Sequence, residues 1–80
     1  MNKPWVLFHL KESSIELQKI IQAMESGAVT DDEFEIGITR AYYHLNTAWN
    51  SRSISDEKAR QHTDWDFVQW RQFPKELNLT

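Results

Sequence analysis

Cysteine is absent from this 80-residue chain, and glycine and proline occur twice each. Without cysteine there is no disulfide framework and no thiolate zinc site to staple a small domain, and thiol nucleophiles are excluded. Two glycines cannot build a glycine-rich phosphate loop, and no serine sits in a Gly-x-Ser-x-Gly turn. A basic excess is missing as well: nine Lys and Arg stand against twelve Asp and Glu, a net charge of −3. Capture of nucleic acid or of an anionic membrane by charge is thereby disfavoured. No apolar run approaches the ~20 residues of a transmembrane helix. Trp5-Val6-Leu7-Phe8 is too short for a signal-peptide core and has no small-residue cleavage site after it. The expectation is a soluble, cytoplasmic protein that contacts neither nucleic acid nor membrane.

What the chain does have is aromatic side chains, with four Trp, four Phe and two Tyr. Each buried ring removes a large apolar area from water, so a packed core is feasible. The length allows one domain, residues 1–80, because so short a chain buries only roughly 60 to 65% of the surface its unfolded form exposes. Apolar burial then barely offsets chain entropy, and self-association is the simplest supplement.

The first helix is expected over about 4–26. Pro4 suits a first helical turn and Gly27 suits a stop. On a helical period Leu7, Leu10, Ser14, Leu17, Ile21 and Met24 share one face, with Val6 and Ile20 at its border, and this stripe reads as the core face. Phe8 and Ile15 lie on a different face. A second helix over about 31–50 is opened by Thr30-Asp31-Asp32-Glu33, which reads as a capping box. The acidic group Asp31, Asp32, Glu33 and Glu35 then opposes the positive end of the helix dipole and needs no metal. Phe34, Ile38, Ala41, Leu45, Ala48 and Trp49 form its apolar side, and the short connection makes the two helices antiparallel.

Beyond Asn50 the signals weaken. A helical segment over about 56–73 can be capped by Ser55 and carries Trp65, Phe67, Val68, Trp70 and Phe73 before Pro74. It reads either as one bent helix or as two, the second capped by Thr63. Residues 74–80 are expected to be a loose tail. The fold class is therefore all-α: a small antiparallel bundle of a long helix hairpin and a shorter aromatic-rich third segment, completed as a dimer.

Several positions carry functional readings. Gly37 costs about 1 kcal/mol relative to alanine in a helix interior, which calls for compensation. With Ala41, His44 and Ala48 it forms a small-residue stripe that admits a close crossing by the third segment or by a second subunit. Ile36 and Tyr43, interleaved with Arg40, Thr47 and Asn50, form a second ridge. Tyrosine and arginine with polar flanks match the composition of protein contacts, so Phe8, Ile15, Ile36, Tyr43 and Trp70 are the candidate interface. Gly37, His44, Asn50 and Arg52 are candidate ligand-facing residues, since arginine forks to carboxylate or phosphate. For Asn46, Asn50, Ser51 and Arg52 the simpler reading is termination of the second helix.

His9, His44 and His62 fall one in each helical segment, as a metal site in a bundle would require. The paired Glu-x-x-His and the His-x-x-x-His spacings are missing, and His9 reads as lying near the polar flank. The leading expectation is a homodimerising interaction or regulatory module, with no catalysis and no cofactor. The alternative is a metal- or small-ligand-binding bundle built on His44 with His9, Glu12 and His62.

Overall fold

A computed structural model describes residues 1–77 and is all-helical over that range. In chain order the elements are α1 (Lys3–Glu25), α2 (Asp31–Asn50), α3 (Asp56–Gln61) and α4 (Asp64–Trp70). Each boundary has a local cause. The Asn2 side chain accepts from the Trp5 N–H and Pro4 sits in the first turn, so α1 starts one residue before the proline. Gly27, at φ 75°, takes the left-handed conformation that ends it. Thr30 accepts from the Glu33 N–H at 3.1 Å, with Asp31, Asp32 and Glu33 in the first turn of α2.

The aromatic-rich segment is two helices, not one bent helix. Ser55 caps α3, and Thr63 and Asp66 exchange side-chain and backbone hydrogen bonds in a full capping box that opens α4. Lys58 of α3 reaches Asp66 at 2.7 Å and ties the two short helices together. Helix α4 stops at Trp70, earlier than the expected 73. The segment after it is held further than expected: Pro74 is buried, and the Glu76 carboxylate accepts from Trp49 Nε1 at 3.1 Å. The rest of the expected tail, 78–80, lies outside the described residues.

Helices α1 and α2 form an antiparallel hairpin, with Asn2 against Arg52, Trp5 against Ser51, His9 against His44 and Ser13 against Ala41. Its seam is not the one that hydropathy marks. The buried residues of α1 are His9, Ser13 and Ile20, and those of α2 are Gly37, Ala41, Thr47 and Ala48. The expected core face of α1 is turned out, and Leu7, Leu10, Leu17, Ile21 and Met24 are all exposed. The small side chains explain this rotation. Serine, glycine and alanine let the backbones approach closely enough for Ser13 Oγ to donate to the Ala41 carbonyl at 3.0 Å. A Cβ on Gly37 would lie 2.6 Å from Ile20 Cγ1, so the glycine makes room for α1, not for the third segment or a second subunit.

The two short helices cover one side of this hairpin at its open end. Asn46 Nδ2 donates to the Arg71 carbonyl at 2.9 Å, and Asn50 Nδ2 donates to the Trp70 and Gln72 carbonyls, both at 2.7 Å. The Trp70 and Arg71 carbonyls are ones that the end of α4 leaves without helical partners, and Gln72 follows them in the turn. Two asparagines one turn apart on α2 therefore cap another helix, in addition to standing near the end of their own. Trp5 meets His62 and Trp70 edge to face where the cover docks, and His62 lies tilted against Trp70, with ring centroids 5.6 to 6.1 Å apart.

Candidate interaction face and histidine seam

Because the seam lies on the small-residue stripes, the apolar stripes of both long helices open on the same side of the hairpin. Val6 and Leu10 of α1 share a depression there with Leu45, Ala48 and Trp49 of α2, about 250 Å³ in volume and rimmed by Met1 and Arg52. Leu7 continues it beside Lys3. At helical spacing the same side runs on through Leu17, Ile21 and Met24 on α1 and through Ile38 and Phe34 on α2. Leu10 and Leu45, at the middle of the depression, are 44% and 43% exposed. Among the described residues no other helix lies on this side, since α4 packs against α2 from the other.

The five residues that the sequence singled out as an interface do not form one surface. Tyr43 is half-buried, with the Arg71 guanidinium 4.7 Å above its ring, and Trp70 is half-buried against Trp5. Both belong to the docking of the cover. Phe8 and Ile15 stay exposed on α1, Phe8 beside Ala59 and Arg60 of α3. Ile36 is exposed in a separate hollow among Glu16, Lys19, Glu33 and Arg40.

The histidine seam is the most polar part of the interior. His9, expected at the polar flank, is only 3% exposed, and its Nδ1 lies 3.0 Å from His44 Nδ1. One nitrogen must donate and the other accept, so the rings cannot both be charged here. His9 Nε2 is buried without a partner. A buried orphan N–H is rarer than a buried orphan acceptor, which assigns the shared proton to His9 Nδ1 and leaves its Nε2 as a bare lone pair. Burial, followed by the proximity of His44 and then His62, lowers the His9 imidazole from its usual 6.5 to about 4. Trp5 closes the pocket edge-on at 4.5 Å, and its Nε1 donates to Ser51 Oγ at 2.7 Å.

His62 does not join this pair. Its Nδ1 faces the Ala59 carbonyl at 2.9 Å, and its ring lies against Trp5 and Trp70. Among the described residues no three His, Cys, Asp or Glu side chains converge as a metal would require, Glu12 included. The candidate ligand-facing set is likewise dispersed. Gly37 meets Ile20, His44 meets His9, and Asn50 serves α4. Arg52 donates to the Trp49 carbonyl at 2.7 Å and stacks over the Trp49 ring at 3.9 Å.

The outward leucine face is the feature that hydropathy alone misassigns. The signal for it was present: a helix has only one seam per neighbour, and the stripe Gly37, Ala41, Ala48 has its match in Ser13 of α1. Compared with protein-family models, curated proteins and solved structures, the chain matches none of them. No helix among the described residues is long and apolar enough to cross a membrane.

Proposed function

We propose that this chain is a cytoplasmic, homodimerising protein–protein interaction module without catalytic activity, and that its contact face is the exposed apolar side of the α1–α2 hairpin. A small domain stabilised without disulfides suits a reducing compartment. The observation that carries the reading is the mismatch between the seam and the hydrophobic stripes. The hairpin is joined through serine, alanine, glycine, Ile20 and a histidine pair, while its leucines, Ile21, Met24 and Phe34 remain exposed.

The areas agree with this. The chain exposes 6027 Å², and its buried hydrophobic residues are Ile20, Ala41 and Ala48 alone among the described residues. A monomer of this mass would expose about 5,000 Å². The surplus, on the order of 1,000 Å², compares with the ~800 Å² that each partner contributes to a stable interface. Its radius of gyration of 14.1 Å also exceeds the roughly 11.6 Å of a compact chain of this length. A second copy laid on the open side would turn a flat hairpin into a four-helix core.

Sedimentation equilibrium over a wide concentration range, with and without chelator, tests the reading. A dimer indifferent to chelator supports it. A monomer at all concentrations overturns it, and an assembly that the chelator dissolves transfers the weight to the His9–His44 pair as part of a metal site.

A further inference from the structure

Resting on that reading, we infer that the two copies pair with their α1–α2 loops at opposite ends, each α1 running antiparallel to its counterpart. The basis is that the open face is its own complement about a single centre. On α1 the centre is Ser14: Leu7 and Ile21 stand seven positions to either side, and Leu10 and Leu17 stand four and three. Reversing the helix about Ser14 exchanges Leu7 with Ile21 and brings Leu10 of one copy within one residue of the level of Leu17 of the other. On α2 the centre falls between Ala41 and Tyr42, and the same reversal exchanges Ile38 with Leu45 and Phe34 with Trp49.

These two centres are independent features of the sequence, and the fold brings them to one level. The Ser13 Oγ to Ala41 carbonyl bond, at 3.0 Å, sets residue 13 beside residue 41. One two-fold axis perpendicular to the helices can therefore satisfy both pairings at once, as an isologous interface demands.

Charge selects the same arrangement. Lys3 and Arg52 rim the open face at the end where α1 begins, with Glu76 as the acidic group facing Arg52. Glu25 and Asp31 stand at the loop end. Reversal about the centre brings Lys3 of one copy toward Glu25 of the other and Arg52 toward Asp31. Loops at the same end would instead set Lys3 against Arg52 and Glu25 against Asp31, juxtaposing like charges at both ends.

The chain has no cysteine, so a nitroxide on Glu25→Cys labels one exposed site per copy. Pulsed dipolar spectroscopy on the intact labelled protein reads the separation between the copies. Twenty-two residues at ~1.5 Å each separate the levels of Glu25 and Lys3, so loops at opposite ends give a distance of about 33 Å. A distance under about 20 Å means loops at the same end, because the diagonal of a four-helix bundle is ~14 Å. That result overturns the arrangement and leaves the dimer standing. Absence of dipolar coupling, together with monomeric sedimentation of the unlabelled chain, overturns the dimer itself. Lys3→Glu is a second test. With opposed loops it weakens association several-fold at low salt and Glu25→Lys in the same chain restores it, whereas with loops together Lys3→Glu alone strengthens association through Arg52.

Discussion

The imidazoles of His9 and His44 face each other across the α1–α2 seam with 3.0 Å between their Nδ1 atoms, and a second proton on His9 would sit on Nε2, buried with no acceptor in reach. The pair makes the hairpin a neutral-pH structure. In the unfolded chain His9 titrates at 6.5, while in the fold it is lowered to about 4. Between these values the unfolded state binds more protons, so acid favours unfolding. Stability is expected to be full above about pH 7, to fall as pH drops toward 4 and then to level off for this group. The loss is on the order of 2 kcal/mol, at about 1.4 kcal/mol per pH unit with a discount for solvent near the pair. Urea titrations at fixed protein concentration from pH 8 to pH 4 measure it. In His9→Phe the slope across that window should largely vanish.

Leu17→Glu places a charge in the middle of the open face. It should disrupt the proposed self-association, raising the dissociation constant at least tenfold, because an unpaired charge would be buried in the contact. Ile36→Glu, in the hollow on the other side, should leave association unchanged. Sedimentation equilibrium of both variants separates the two faces, and the opposite pattern would return the interface to the ridge of Ile36 and Tyr43.

Gly37→Ala improves intrinsic helix propensity by about 1 kcal/mol, but its methyl would lie 2.6 Å from Ile20 Cγ1. Overpacking of this kind typically costs ~1 to 3 kcal/mol, so the variant should be less stable by roughly 1 kcal/mol net. Ile20→Val should also destabilise alone, yet the double variant should be more stable than the sum of the two. Thermal or urea unfolding of the four proteins gives the coupling.

Asn50→Ala removes the donor shared by the Trp70 and Gln72 carbonyls. Loss of about 1 to 2 kcal/mol is expected, concentrated in the cover. Hydrogen exchange should speed up in α3 and α4 with the middle of α2 still protected. Uniform acceleration throughout the chain would show that cover and hairpin unfold as one unit.

The helical elements were legible because their signals are local. Thr30, Ser55 and Thr63 act as caps where their sequence contexts place them, and Gly27 stops α1. The facing of the helices was not. Hydropathy marks Leu10 and Leu45 as residues that favour burial, but it does not say whether another helix of the same chain covers them, and among the described residues none does. The close seam depends on Gly37 meeting Ile20 and on Ser13 meeting a backbone carbonyl, contacts between residues distant in sequence. His9 illustrates the same point: on a helical wheel it borders the polar face, and only the neighbouring helix makes that border an interior. The sequence context of Asn50 marks a cap for α2, and its partners at the end of α4 and just beyond it are twenty and more positions away.

The seam also bears on how the chain reaches this state. A hairpin zipped by serine, alanine and glycine gives a collapsing chain little hydrocarbon to condense around, so an isolated copy has a shallow basin to fall into. On the proposed dimer, the steep part of the descent lies in the meeting of two copies, and refolding should carry a second-order phase whose rate rises with protein concentration. Dilution would then slow the formation of the helices themselves as well as the proposed pairing, and the leucine face would act as a folding nucleus divided between two molecules.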